Sequence, residues 1–456
     1  MLSRQNSDAV GAALAAGVIF WTPLALFQQT ASYATTFVAQ YVGAGRPHRV
    51  GPSVWQALYF SLIAGIAFLG FLPFTDQLAA LTGHPPHIQE LESIYLRCLS
   101  FATLPILITA TVSAFFAGRG DTWPVVAINA AGTLVNGVLD YAWIYGKWGF
   151  PASGIAGAGW ATVVGSWASA LLGLGLLLLP RFRTTYATLS GWRFEWKLFK
   201  RLLFFGVPSG LQWSLDALAF TVFLVLVGQL GEAPLAASSV AVTINMVGLV
   251  PMLGLAQAVA VLVGQRLGQD RPDLAERSTW RGAAMCLAYT GAAAAIYAFW
   301  PNLLLPIFQD QDATRWAAVT SIVPTLLKFV AVYCMFDGTT LVLSSALRGA
   351  GDTRFVSLAL LAAAWSLMVI PTIIARKAGA GLFTFWGFAT GYLVVLAFVF
   401  VWRFRQGKWR KMRVIEPAPL DVDDPPTPIT ANFDCVVPVA NQGASLERPG
   451  ASGGVP

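Results

Sequence analysis

Charge is scarce in this 456-residue chain. Only 11% of its residues are Asp, Glu, Lys or Arg, against about 25% in soluble domains. With 56% of residues hydrophobic and a mean hydropathy of +0.64, an ordinary water-soluble enzyme is excluded. Histidine is rarer still. His48, His84 and His87 all fall in polar connections, so the apolar segments contain neither a zinc site nor an imidazole base. The four cysteines, Cys98, Cys286, Cys334 and Cys435, stand singly, and no disulfide framework or metal motif follows from them. A secretory signal is also lacking: Met1 to Asp8 is polar, and the apolar run behind it is too long for a signal core.

What is present is a series of long apolar runs. They fall at about 10–42, 51–75, 88–118, 121–146, 154–180, 199–228, 236–267, 279–306, 314–348, 353–375 and 380–404, each long enough to span a bilayer as a helix. This predicts an all-α polytopic membrane protein with eleven spans and membrane lipid as its solvent. The formal charge of +7 would suggest nucleic acid in a soluble chain. Here the basic residues gather in alternate connections: Arg46 and Arg49; Arg119; Arg181 to Arg201; Arg266 to Arg281; Arg348 and Arg354; and Arg403 to Arg413. The opposite connections hold only Lys147, Arg315, Arg376 and Lys377. The positive-inside rule makes the first set cytoplasmic, puts the C-terminus inside and, with an odd count, the N-terminus outside. Nucleic acid is not an expected partner.

The chain repeats itself. Val38-Ala-Gln-Tyr-Val-Gly-Ala-Gly-Arg-Pro47 returns as Val263-Gly-Gln-Arg-Leu-Gly-Gln-Asp-Arg-Pro272, and Trp55 returns as Trp280 at the same offset of 225. Gly120-Asp-Thr122 returns as Gly351-Asp-Thr353. Two like helical bundles in parallel orientation follow, with a binding site expected between them near the midplane. The expected organisation is a five-span N-lobe over 1–180, a basic linker over 181–198, a six-span C-lobe over 199–405 and a disordered tail over 406–456. Subtracting the offset from the span at 199–228 leaves no first-lobe counterpart in the chain. Either the counterpart lies upstream of Met1 in a longer reading frame, which is the favoured expectation, or the protein works with eleven spans.

Three acids lie deep inside predicted spans: Asp140, Asp216 and Asp337. An ionised carboxylate in lipid costs about 2.5 to 3.5 kcal/mol on insertion scales, so each is expected to face a cavity or a partner. Tyr333, Asp337, Thr340 and Ser344 share one helix face, as do Asn129, Thr133, Asn136 and Asp140. Thr162, Ser166 and Ser169 form a third stripe, which taken alone reads as hydrogen-bonding between helices. Oxygens of this kind suit a hard cation, so Asn136, Asp140 and Thr162 form a candidate Na⁺ shell. Gln212 precedes Asp216 by one turn, and Trp213, Trp160 and Phe220 are candidate faces for a flat organic cation. The alternative for Asp337 is internal pairing with Lys328. Pro105, Pro208, Pro251 and Pro324 are candidate hinges.

Taken together, residues 8–405 resemble the multidrug and toxic compound extrusion (MATE) family, in particular its NorM-like branch. The resemblance rests on the 38–46 stretch and its echo at 263–268; on Asn136-Gly-Val-Leu-Asp140 followed by Gly154-Ile-Ala-Gly-Ala-Gly-Trp-Ala-Thr162; on Pro208 with Asp216; and on Asp337 before Leu347-Arg-Gly-Ala-Gly-Asp352. It implies twelve helices in two lobes forming a V, and efflux of organic cations across the bacterial inner membrane in exchange for Na⁺ or H⁺. No other cofactor, no catalysis and a monomer are expected. The chain departs from the family in the missing first helix, which usually supplies a coupling carboxylate. A lipid-linked oligosaccharide flippase of the same superfamily is the alternative, although it is expected to carry Arg and Lys in its cavity rather than Asp. A remoter alternative is an intramembrane enzyme, with Asp216 and Asp337 as a proton-sharing dyad.

Overall fold

The computed structural model of the chain describes residues 7–308 and 313–417. The tail expected over 418–456, Cys435 included, lies outside the described residues. Among the described residues there are helices and turns and no strand, and eleven helical segments are long and apolar enough to cross a membrane.

In chain order the helices are α1 (Ser7–Ser32), α2 (Ala34–Gly43), α3 (Val50–Leu69), α4 (Thr75–Ala80), α5 (Pro86–Gly118), α6 (Trp123–Tyr145), α7 (Gly154–Leu177) and α8 (Pro180–Tyr186), followed by α9 (Trp196–Gly228), α10 (Glu232–Gly268), α11 (Pro272–Phe299), α12 (Ala313–Ala350), α13 (Thr353–Ala363), α14 (Ile370–Lys377) and α15 (Leu382–Arg405). The first span is α1 and α2 end to end, broken at Tyr33. The tenth is α13 and α14, joined through a π-helical turn at Ala364–Val369. Helix assignment runs unbroken through Pro105, Pro208, Pro251 and Pro324.

The repeated motifs are helix stops. In Gly-Asp-Thr, Gly120 and Gly351 take φ of +84° and +109°. The amides of Asp121 and Asp352 then turn back onto the carbonyls of Phe116 (3.1 Å) and Leu347 (2.9 Å). Each closes the last turn of a long helix and satisfies a carbonyl that would otherwise be orphaned. The longer motif ends α2 and α10 in the same way, with Arg46 N on Tyr41 O at 3.0 Å and Arg271 N on Arg266 O at 2.9 Å. Asp270, the repeat partner of Gly45, is one of the non-glycine residues with positive φ (+53°), a conformation that Asp tolerates better than most residues do.

The same motifs also cross. A Cβ on Gly43 would sit 2.0 Å from the Gln265 carbonyl oxygen, and one on Gly268 would sit 2.3 Å from that of Gln40. Two backbones thus touch where side chains would hold them apart. Gln40 Nε2 donates to Gly349 O and Gln265 Nε2 to Gly118 O, both at 3.0 Å. Residues 40 and 265 occupy the same place in the two repeats, so each repeat caps the other's long helix by the same bond. On the flanks, α1 packs against α9, with Gly206 and Gly210 seated on Thr30 and Leu26 and Ser214 Oγ donating to Thr22 O at 2.8 Å.

Two expectations are corrected. Residues 406–416, assigned to the tail by their composition, are ordered and packed: Trp409 is 1% exposed, Val414 0% and Ile415 5%. Arg348 is not a connection residue. It lies within α12, where its side chain faces the hollow described below.

Candidate functional site

The helices of the second repeat enclose, together with α1, a cavity of about 650 Å³. Asp216 enters it from α9 and Asp337 from α12, with Gln212, Thr340 and Ser344 beside them. The spacing on α12 explains this. Asp337, Thr340, Ser344 and Arg348 follow one another by three or four residues, so one face of the helix carries them all toward the hollow. Gln212 Nε2 donates to Asp216 Oδ2 at 3.2 Å, which leaves the Gln212 carbonyl oxygen without a protein partner. Thr340 Oγ1 is likewise buried and unpaired. Trp213 and Phe220 line the same cavity, and Tyr392 of α15 completes it. Lys328 is exposed, and among the described residues no ion pair joins it to Asp337.

Tyr333 does not line this cavity. Its ring stacks on Trp386, with centroids 6.3 Å apart, inside the apolar core of the second repeat. It is one helical turn before Asp337, but the inward turn of α12 begins at the acid. Trp160 is also elsewhere, stacked on Phe101 at 5.6 Å.

In the first repeat the predicted polar stripe divides. Asn129, Ser166 and Ser169 line a cavity of about 480 Å³ with Gln28, Ser32 and Thr35 of the first span. Thr133 is exposed, and Asn136, Asp140 and Thr162 lie farther along α6 and α7. Asn136 Nδ2 reaches Thr162 Oγ1 at 3.5 Å, and Asp140 is half-buried with its Oδ1 unpaired. Asp140 is therefore not brought to the acids of the second repeat. Among the described residues, no cluster of His, Cys, Asp and Glu is arranged to hold a metal ion. A Na⁺ shell at Asn136, Asp140 and Thr162 would have to draw on amide and hydroxyl oxygens.

A third hollow, of about 410 Å³, lies between the repeats and shares Gln29 with both of the others. Arg348 lines it as well as the acidic cavity. Its Nη2 donates to Ser345 Oγ at 3.2 Å and Ser344 Oγ at 3.5 Å, and among the described residues no carboxylate lies within ion-pair distance. Sequence reasoning missed Arg348 by reading it as a loop cation. Its position eleven residues after Asp337, three turns on and on the same face, was the available signal. Tyr392, alone on an apolar helix, gave none.

Residues 1–142 and 208–374 match the family model MatE. The chain is 29% identical over 371 residues to the Probable multidrug resistance protein NorM of Xanthomonas campestris pv. campestris, covering 80% of each chain. It is 28% identical over 409 residues to the Multidrug resistance protein NorM of Burkholderia vietnamiensis, covering 89% of this chain and 87% of the relative. Among solved structures, it superposes with a TM-score of 0.82 and 21% identity on an outward-facing multidrug resistance MATE family transporter of the MOP superfamily. It superposes equally, at 22% identity, on a MOP superfamily transporter from Pyrococcus furiosus described as having a binding pocket of reverse polarity. Each comparison covers 90% of this chain and 91% of the other, and together they show the two-bundle fold.

Proposed function

The chain belongs to the MatE family, and on that premise we propose that it is a secondary-active multidrug exporter that carries small amphipathic organic cations outward in exchange for Na⁺ or H⁺. As a member of that family it is a transporter and not an enzyme. The observation that carries the reading is the convergence of Asp216 and Asp337 on one cavity walled by Trp213, Phe220 and Tyr392. Carboxylates supply charge and the aromatic rings supply flat apolar faces, the two features by which an amphipathic cation is recognised.

Exchange follows from competition. A carboxylate that holds either the coupling ion or the drug, but not both, links their movements, and each ligand shifts the access equilibrium only by its differential affinity for the two states. Asp216 and Asp337 are the substrate groups in this reading, with Gln212 orienting Asp216. Asn136, Asp140 and Thr162 of the first repeat form the candidate Na⁺ site. The basic end of the bundle faces the cytoplasm in the bacterial inner membrane, and the protein works as a monomer of two lobes, over 1–180 and 199–405. A cavity with two acids and one arginine fits a cation better than the pyrophosphate of a lipid-linked oligosaccharide.

The test uses purified protein in liposomes loaded with ethidium, first under an imposed Na⁺ gradient and then under a pH gradient. Export under one gradient and not the other identifies the coupling ion. An absence of export under both sinks the proposal.

A further inference from the structure

Beyond α15 the chain does not leave the bundle. Gly407, at φ +71°, turns it back, and Trp409 stacks on Phe404 with ring centroids 4.7 Å apart while its indole N–H donates to Phe404 O at 2.8 Å. Arg410 pairs with Glu276 at 2.5 Å and Arg413 with Asp270 at 2.8 Å. All three anchoring partners, Phe404, Glu276 and Asp270, belong to the second repeat.

The next three residues reach across to the first repeat. Val414 and Ile415 are buried in an apolar cluster that holds Phe37 and Tyr41 of α2 together with Leu198 and Leu202 of α9. Val414 N donates to Gln40 Oε1 at 2.9 Å, the same amide whose nitrogen caps Gly349 across the seam. Glu416 accepts from the Tyr41 hydroxyl at 2.6 Å and from Arg49 Nε at 3.1 Å, while Arg201 of α9 lies 3.7 Å from it and donates to Ile415 O at 3.0 Å. Its carbonyl accepts from Arg46 Nη2 at 2.7 Å. Burial opposes its charge, yet the Tyr41 hydroxyl and the Arg49 guanidinium hold the carboxyl below its ordinary range.

We propose that residues 412–416 are a strap tying the two repeats together across the basic end, and that transport requires the strap to come away. Pinned to one repeat by Trp409, Arg410 and Arg413 and to the other by the hydrogen bonds of Val414 and Glu416, the segment spans the seam where α2 and α10 cross. Parting that seam must either break the Gln40, Tyr41 and Arg49 bonds of Val414 and Glu416 or release the Trp409, Arg410 and Arg413 anchors at the other end. The inference rests on the alternating-access reading above. It adds that access at this end is regulated by the chain's own segment beyond α15.

The test places Thr36→Cys, beside the seam, in full-length protein whose native cysteines have been replaced, and follows its labelling by a membrane-impermeant maleimide from the basic side. Glu416→Gln is expected to speed labelling about tenfold, the loss of a charge-assisted hydrogen bond to a closed state. A stop after Arg413 is expected to do the same, whereas a stop after Pro417, which removes the tail but keeps the strap, leaves the rate unchanged. Identical labelling in all of these overturns the proposal. A second measurement does not depend on those variants folding alike. With Tyr41→Cys and Glu416→Cys joined by a reducible bis-thiosulfonate linker, export is expected to stop and to resume on reduction. Continued export with the linker in place overturns the strap as a moving part. Labelling needs no substrate, so failure of the export reading leaves a distinct result.

Discussion

The two repeats end their helices with the same bonds, yet the hollows they enclose are chemically unlike. The cavity on the first repeat is walled by Gln28, Ser32, Thr35, Asn129 and Ser166, all neutral. That on the second holds Asp216, Asp337 and Arg348. The helix stops are similar because Gln40 and Gln265 must each cap the opposite repeat, so a change in one motif breaks a bond made by the other. No such reciprocity ties the cavities, and their side chains have diverged. A shared backbone therefore carries two chemically different hollows, one lined by charged side chains and one by neutral hydrogen-bonding groups.

The comparison is broken most severely at Asp337. Asp337→Asn keeps the shape of the cavity but removes one of its two carboxylates, and export is expected to fall about 100-fold, near the upper end of ligand coupling energies, with normal membrane expression; liposome flux measures it. Unimpaired flux would mean that the second cavity owes nothing to its acid. Asp140→Asn is expected to cost about tenfold, and only when export is driven by Na⁺. An equal loss under a pH gradient would remove the first repeat's claim to a Na⁺ site.

Changes away from the acids sharpen the picture. Gly43→Ala sets a methyl group against the Gln265 backbone, which has no side-chain freedom to swing aside, and is expected to destabilise the crossing by about 3 kcal/mol, the upper end of overpacking costs. Thermal unfolding in detergent would register it, and Gly268→Ala should match it if the crossing is symmetric. Ser166→Ala, which removes one hydroxyl from the neutral cavity, is expected to change the apparent affinity for substrate by no more than about threefold, in keeping with about 0.6 kcal/mol for a polar contact inside a membrane protein.

Much of the fold was legible beforehand, because in lipid every backbone polar group must be satisfied within its own helix, and apolar length alone then marks the spans. The three-four spacing on α12 likewise put Asp337, Thr340 and Ser344 on one face. The same pattern failed for Tyr333, which packs on Trp386, and for the stripe on α6, where Asn129 reaches a cavity and Asp140 does not. Periodicity tells which residues share a face, but not how far along that face a neighbouring helix stays in contact. Composition failed at 406–416 for a related reason. A polar, basic stretch is soluble by default, and only the presence of Phe404, Glu276, Asp270 and the Tyr41 and Arg49 side chains in the right places makes it pack.

By itself, then, the sequence determined the eleven apolar spans and the fact of a repeat, since these depend on apolar length and on local hydrogen bonding. The meeting of Asp216 with Asp337, the turn of Arg348 into the hollow and the seating of Val414 and Ile415 across the seam were decided by tertiary structure. Each joins residues tens or hundreds of positions apart, and only the packing of whole helices fixes which of them face one another.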